Sequence, residues 1–208
     1  MRAAIALILV TAGSAAAGNN EITLGSWNRA LRSASADAVT DRGLAGGLLT
    51  YARALDVDVM PRLALWAEAG FAWAGTSGTM FETMNTDVGN LAFTVGGRAR
   101  YLAYDHLAVS ARLDIGTART SLTLSQGGYS ADDSGWGAVA TGAVAVDLLA
   151  ASWLGLRVEL AYVKASAPSL SPHQSGDDGT LKLPMSDASF GHLDLSGPAF
   201  YLSLVSQF

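Results

Sequence analysis

The last nine residues of the chain alternate in character, and the chain ends on an aromatic residue. One set of alternate positions, from Phe200 to Phe208, is largely apolar, whereas the intervening set includes Tyr201, Ser203 and Gln207. Because successive side chains of a β-strand point to opposite faces, this segment is predicted to be a strand with one apolar face. A closed barrel in lipid needs this pattern in every strand. The ending therefore favours a membrane-spanning β-barrel.

The same segment resembles the C-terminal strand of bacterial outer-membrane barrel proteins, whose terminal aromatic residue is read by the barrel assembly machinery. The resemblance implies that Phe208 carries this signal and that the assembly machinery is a partner. It also implies that the chain lies in the outer membrane, in contact with its lipid and lipopolysaccharide.

The N-terminal residues have the three parts of a secretory signal peptide. Arg2 supplies the basic region, residues 3–10 an apolar region, and residues 15–17 a run of three alanines suited to cleavage. The apolar run is shorter than the roughly 20 residues that a spanning helix needs. We expect cleavage before Gly18, so that residues 1–17 are removed and residues 18–208 form a single barrel domain.

Composition supports this class and excludes others. Half of the residues are hydrophobic and the mean hydropathy is +0.28, yet beyond the signal no uninterrupted apolar run reaches spanning-helix length. The chain contains no cysteine, so neither disulfides nor thiolate metal sites are available. A formal charge of -5 argues against nucleic acid as a partner, because such binding needs clustered lysine and arginine.

The pattern along the chain predicts an all-β, antiparallel, up-and-down barrel of about eight strands. An even number is usual for single-chain bacterial barrels, which have short periplasmic turns and longer outer loops. With both termini periplasmic, the short and long connections fall on the expected sides. The predicted strands are residues 21–32, 46–56, 62–74, 91–103, 107–120, 136–150, 155–165 and 198–208. The predicted long outer connections are residues 75–90, 121–135 and 166–197.

Charged residues occupy one face of the predicted strands. On the strand at 107–120, Arg112 and Asp114 oppose a stripe that includes Leu113 and Ile115. Ionised residues of a strand in lipid must point inward, so parity predicts a charge network in the barrel interior. The register of the first two strands stays open, because Arg53 shares its parity with apolar residues and either faces the lumen or snorkels at the interface. The predicted network comprises Glu68, Arg98, Arg100, Arg112, Asp114, Asp147, Arg157 and Glu159.

The interior of an eight-stranded barrel is just wide enough for side chains to fill it. The predicted charges balance, so we expect pairing between neighbouring strands and a polar plug. The alternative is a narrow pore for small solutes or ions, in which the same residues form a filter.

Aromatic residues mark the ends of the outward stripes, as in the girdles where barrels meet lipid headgroups. The alternative is that several are ordinary core or loop residues. The predicted girdle comprises Trp73, Trp136, Tyr162 and Phe200 at the outer ends and Tyr101, Trp153 and Phe208 at the periplasmic ends.

Signals for catalysis are few, and we predict no catalytic residue, metal or cofactor. The triplet from His173 to Ser175 resembles in spacing the His-x-Ser pair of lipid A deacylases, but Pro172 and a Gly/Asp-rich loop flank it. Asp132 and Asp133, like the acids at 177–178, lack the alternating ligand spacing of a calcium loop.

The combined pattern resembles small outer-membrane barrels such as the OmpA transmembrane domain and OmpX. The proteins of this superfamily include structural anchors, adhesion or defence proteins, small pores and a few lipid enzymes, so the fold alone does not yield the function. The leading hypothesis is a non-enzymatic protein with a structural or surface-interaction role. A passive pore and, more distantly, a lipid A-modifying enzyme are the alternatives. The apolar residues within 180–195 are expected to extend the strands or to fold over the mouth, and this segment is a candidate surface for an extracellular ligand.

Overall fold

The computed structural model describes residues 18–37, 40, 43–80, 83–127, 129–170, 173–174 and 192–208. Within these residues the chain is almost entirely antiparallel β-sheet, and the one helix, α1 (Ala34–Asp37), is a single turn. No helix in the described part is long and apolar enough to cross a membrane.

Eight long strands form a closed ring in which each strand pairs with its neighbour in the chain, and β10 closes the ring between β7 and β1. Two short strands pair with the ends of β6 and β7. The predicted eight-stranded antiparallel barrel is therefore confirmed. The strands are β1 (Asn20–Arg29), β2 (Leu44–Met60), β3 (Leu63–Met80), β4 (Met84–Tyr104), β5 (Leu107–Gln126), β6 (Tyr129–Ala151), β7 (Leu154–Ser169), β8 (His173–Gln174), β9 (His192–Asp194) and β10 (Gly197–Gln207).

The two ends of the barrel differ. At one end, here the turn end, two-residue turns at 61–62, 105–106 and 152–153 connect the strands. The first of these combines Pro61, whose ring fixes φ, with Arg62 in the left-handed region at φ 69°. At the other end, here the hairpin end, long hairpins join β3 to β4 and β5 to β6.

The strand boundaries predicted at the hairpin end were wrong. Residues 75–90 and 121–135 were expected to be loops, but β3 and β4 stay paired as far as Met80 and Met84, and β5 and β6 as far as Gln126 and Tyr129. Serine, threonine and glycine in these segments signal loops by composition. In a ladder whose backbone groups are all paired, however, threonine and serine are compatible with a strand whose outer face meets water.

In the turn-end half of the barrel the strands have apolar residues on the outer face and charged residues on the inner face. On β5 the side chain of Leu113 is 74% exposed, whereas its neighbour Asp114 is 4% exposed. The same inversion holds on β7, where Leu160 is exposed and Glu159 is buried. In a water-soluble sheet the apolar face packs on the core and the polar face meets water. The outer surface of this barrel has the opposite character and is suited to lipid.

The structure also settles the register of the first two strands. Leu49, Tyr51 and Leu55 are exposed on the outer face of β2, and Arg53 lies among them. On β1, Glu21 and Thr23 are buried inside the barrel. Arg53 is therefore an outward residue, as in the second of the two alternatives.

Candidate functional site

The turn-end half of the barrel interior is filled by charged side chains. The eight residues that strand parity places in the lumen all lie on the inner face of their strands. Ionised side chains are rarely buried unless they are paired, and each of these eight takes part in at least one ion pair. The structure thus brings together Glu68, Arg98, Arg100, Arg112, Asp114, Asp147, Arg157 and Glu159.

A ninth residue, Glu21, lies at the centre of this network, and the sequence analysis missed it. Its side chain is fully buried, and its carboxylate lies 2.6 Å from Arg98 Nη2 and 3.1 Å from Arg157 Nη1. Arg100 Nη1 is 3.6 Å away, and Gln207 Nε2 donates a hydrogen bond of 3.1 Å to it. The alternation of Glu21 and Thr23 with apolar Ile22 and Leu24 was the signal that could have found it.

Asp147 joins the other side of this group. On adjacent strands, Arg157 faces it directly and donates from Nε to Oδ1 at 2.6 Å and from Nη2 to Oδ2 at 2.9 Å. Arg100 Nε lies 3.1 Å from the same carboxylate. A bidentate pair of this kind fixes the orientation of both side chains, so it ties β6 to β7 at the turn end.

Arg112 has more acidic partners than any other described arginine. Its guanidinium contacts Glu159, Asp114 at 2.5 Å and Glu68 at 3.5 Å. With Glu21 included, the network holds one more carboxylate than arginine, so the predicted balance of formal charge was wrong. The acids are Glu21, Glu68, Asp114, Asp147 and Glu159, and the arginines are Arg98, Arg100, Arg112 and Arg157.

The hairpin-end half of the interior is mostly apolar, which the sequence analysis did not anticipate. Arg29 and Asn90 are also buried there, and Arg29 donates from Nη1 to Leu195 O at 3.2 Å and lies over the Trp27 ring at 4.8 Å. Trp27 lies where this half meets the charged half. The Trp27 Nε1 donates to Gly47 O at 3.0 Å, and the Trp27 ring stacks on the Tyr201 ring with a centroid distance of 6.0 Å. Arg112 lies over the Tyr201 ring at 5.7 Å, so the two aromatic residues separate the charged layer from the apolar one. The core above them includes Leu44, Leu48, Val88, Leu122, Leu124, Val139 and Val163.

A small cavity lies between the two layers. Its volume is about 50 Å³, and threonine, serine and charged groups line much of it, including Thr23, Thr94 and Asp114. Because one water needs about 10–15 Å³ of such volume, the cavity has room for only a few waters. One atom of its wall, Asp114 Oδ1, is buried with no hydrogen-bond partner among the described residues.

The segment around α1 covers the hairpin end of the apolar core. Ser33 Oγ donates to Asp194 O at 2.7 Å, and the Asp194 amide donates to Ser35 Oγ at 3.2 Å. The Ser196 amide donates to Asp194 Oδ1 at 2.9 Å, and hydrogen bonding with Ser196 holds the pKa of that carboxyl below its usual range. Of the apolar residues predicted within 180–195 to fold over the mouth, Leu193 and Leu195 are buried in the core, whereas 180–191 lie outside the described residues.

The predicted girdle residues lie on or near the outer surface. Trp73, Trp136, Tyr162, Phe200 and Tyr101 are exposed, while Trp153 and Phe208 are half-buried near the turn end. Three of them lie inside longer strands than predicted, because β3 continues beyond Trp73, β6 begins before Trp136 and β7 continues beyond Tyr162. Neighbouring rings form an aromatic cluster on the outer face, with centroids 5.1 to 6.4 Å apart, made of Phe71, Trp73, Phe93 and Trp136.

The motif weighed for catalysis is only partly described. The backbone of His173 and Gln174 forms β8 and pairs with Ala131 and Asp132 of β6, whereas Ser175 lies outside the described residues. Among the described residues, no group of three or more histidine, aspartate and glutamate side chains is arranged to hold a metal ion.

A closed ring of eight antiparallel strands, with an apolar exterior and a charged interior, is the fold of small outer-membrane β-barrel proteins. No family model and no curated protein sequence matches the chain. The similarity lies in structure.

Three solved structures are similar over almost the whole chain. Ail, the attachment invasion locus protein of Yersinia pestis, has 13% identity and a TM-score of 0.54, covering 93% of this chain and 100% of Ail. Neisserial surface protein A has 7% identity and a TM-score of 0.55 over 93% of this chain and 100% of that protein. A major outer membrane protein from Thermus thermophilus has 11% identity and a TM-score of 0.57, over 91% of this chain and 99% of that protein. At these identities the likeness establishes the fold alone.

Proposed function

We propose that the chain is a non-enzymatic outer-membrane protein whose barrel is closed and whose outer surface carries its function. The observation that supports this proposal is that side chains fill both halves of the barrel interior. Charged residues occupy the turn-end half and mostly apolar residues the hairpin-end half, with a cavity of only about 50 Å³ between them. The interior of an eight-stranded barrel is just wide enough for side chains to fill, so this filling supports a closed barrel.

The orientation follows from the two kinds of barrel end. Short turns on the periplasmic side and long hairpins outside are the arrangement of bacterial outer-membrane barrels, which supports our proposal that both termini lie in the periplasm. Residues 1–17 then act as the removed secretory signal, and Phe208 as the residue read by the barrel assembly machinery. The exposed aromatic residues form the girdle at the headgroups, where lipid and lipopolysaccharide surround the barrel.

A surface role is supported by what is known of one structural neighbour. Ail has been solved in complex with the heparin analogue sucrose octasulfate. For this chain, an extracellular ligand would meet the hairpin end. Which chemistry it has depends on the residues there, since a similar fold does not carry a ligand with it.

The test is single-channel conductance of residues 18–208 refolded into a planar bilayer, with a porin added afterwards to show that the bilayer reports insertion. Among the described residues, the ion pairs and the core fill both halves of the interior, so we expect the folded protein to be silent. A steady conductance that changes in Arg112→Gln would overturn the closed barrel and favour the passive pore.

A further inference from the structure

Arg53 is a charged residue on the apolar outer surface without a partner in the protein. Its side chain is exposed on the same face of β2 as Tyr51 and Leu55. Within the described part of the chain, no hydrogen bond or ion pair engages it. Lipid in contact with this surface would desolvate the guanidinium, and an ionised residue in such a setting indicates a functional site with a partner of opposite charge. The partner of Arg53 therefore comes from outside the chain.

The strand register places Arg53 near the turn end of the barrel. Arg53 pairs with Asn20, the first residue of β1. Asn20 exchanges two backbone hydrogen bonds with Phe208, just beyond the end of β10. Polar groups reach the outer surface at the same height, because Tyr51 Oη donates to Asn20 Oδ1 at 2.7 Å. Such a height suits the headgroup region of a bilayer, where an arginine can extend its charge out of the apolar layer.

An apolar groove lies on the outer surface beside Arg53. One outward row of the register joins Arg53 to Ala67, Gly97, Leu113 and Gly142 on the next four strands. Gly97 is two strand spacings from Arg53, about 10 Å along this row. The groove passes over Gly97 and has a volume of about 740 Å³. The outward residues that line it include Leu55, Leu65, Ala99, Val144 and Leu160.

The groove is open at Gly97 and rises from the turn end. At Gly97 a Cβ would meet no heavy atom nearer than Trp66 O at 3.5 Å, while Leu113 Cδ2 lies beside Gly142, 3.5 Å from the position of a Cβ there. Counted from the turn end, Ala67 is the fifth residue of β3, Gly97 the eighth of β4 and Gly142 the tenth of β6. Barrel strands are tilted, so the row climbs from Arg53 towards the middle of the apolar surface.

We propose that Arg53 and this groove bind one glycerophospholipid of the periplasmic leaflet. A cation at the lower end of an apolar groove is complementary to an amphiphile with an anionic head, and a guanidinium can donate two parallel hydrogen bonds to a phosphate. The phosphate then lies on Arg53 and an acyl chain follows the groove over Gly97. The proposal rests on the proposed location and orientation, in which the turn end faces the periplasm.

The test is native mass spectrometry of residues 18–208 in detergent micelles, with circular dichroism to show that each variant is folded. The probes are phosphatidylglycerol, diacylglycerol with the same acyl chains, and lipid A. Arg53→Leu removes the cation and Gly97→Val fills the groove. Arg119→Leu is the control for the first, since Arg119 is an exposed outward arginine towards the hairpin end. Gly75→Val is the control for the second, since Gly75 has the same 3.5 Å clearance outside the groove.

We expect one phosphatidylglycerol to stay bound to each barrel, with an affinity about fivefold lower in Arg53→Leu, the contribution of one arginine near an anionic headgroup. Gly97→Val should also bind more weakly, and both controls should bind as the original protein does. Diacylglycerol should bind more weakly than phosphatidylglycerol and should not distinguish Arg53→Leu from the original.

The proposal is overturned if phosphatidylglycerol binds Arg53→Leu or Gly97→Val as well as the original protein, or if Arg119→Leu loses as much affinity as Arg53→Leu. It is also overturned if lipid A displaces phosphatidylglycerol in a manner that depends on Arg53, because lipid A belongs to the other leaflet. Binding that depends on Arg53, found together with a turn end that is accessible on intact cells, would refute the proposed orientation and leave the binding site standing.

Discussion

Two arginines show how strongly the face of a strand determines what a residue does. Arg98 is 2% exposed inside the barrel, with Glu21 at 2.6 Å and Glu68 at 3.5 Å. Arg53 is exposed on the outer face of β2, where its neighbours are apolar. Loss of the first removes one of the cations that buried Glu21 and Glu68 share and leaves the network with five carboxylates and three arginines, whereas loss of the second removes a charge from a lipid-facing surface.

The same substitution should therefore have opposite results at these two positions. Arg98→Leu is expected to lower the free energy of unfolding by about 3–5 kcal/mol, the usual consequence of breaking a buried ion pair. Arg53→Leu should leave it within about 1 kcal/mol or raise it, because an outward arginine near an interface contributes little. Urea unfolding in lipid vesicles, followed by tryptophan fluorescence, measures both. Equal losses would contradict the assignment of the two faces.

At this scale the sequence predicted more than it missed. Strand parity alone placed eight charged residues inside the barrel, because a period of two leaves only two choices for each strand. Glu21 was missed because the first strands are weakly patterned: β1 buries Thr23 and Trp27 beside it, and neither residue type marks a lumen. The pairing partners could not be predicted, since they depend on which side chains cross the barrel.

At the scale of elements, the strands are longer than their apolar stripes. The prediction ended β3 at residue 74, close to where lipid contact would end, but pairing continues to Met80. Apolar alternation reports the medium around a strand and not the strand itself. The inward positions of the same segments, including Val88, Leu122 and Leu124, carry the apolar core. An examination of the inward positions as well as the outward ones would have predicted longer strands and the apolar core between them.

The last strand is joined to the first by backbone hydrogen bonds at its C-terminal end. The Asn20 amide donates to Phe208 O at 3.1 Å, and the Phe208 amide donates to Asn20 O at 2.9 Å. These are backbone bonds, which any residue at 208 can make. The aromatic ring takes no part in these bonds, which is consistent with the recognition by the assembly machinery that we propose.

Phe208→Ala should lower the amount of folded barrel in the outer membrane of cells several-fold. The free energy of unfolding of the refolded protein should stay within about 1 kcal/mol of the original value, because substitutions near the surface usually change it little. The control is Leu204→Ala, an outward residue of the same strand that is 50% exposed. It should reach the membrane at the normal level. Membrane fractionation with immunoblotting gives the first quantity and urea unfolding the second. Normal amounts of Phe208→Ala in the membrane would contradict the proposed role of the terminal aromatic residue.

At the scale of the whole molecule, the barrel has an apolar middle on its outside and an interior that is filled in two layers. The fold could be predicted because the outer face of each strand meets lipid and its inner face meets the barrel interior. The partners of Glu21 could not, because Arg98 and Arg157 belong to β4 and β7 and meet it only once the barrel has closed.

The orientation of this barrel in the outer membrane is the central claim, and the absence of cysteine from the chain allows a direct test. Gln126→Cys places a thiol at the end of β5 next to a hairpin tip, and Asp105→Cys places one in a two-residue turn at the opposite end; both positions are exposed. Intact cells are treated with a membrane-impermeant maleimide, and a second sample is treated after permeabilisation. We predict that Gln126→Cys is labelled on intact cells and Asp105→Cys only after permeabilisation. Labelling of Asp105→Cys on intact cells, or of Gln126→Cys only after permeabilisation, would contradict the account.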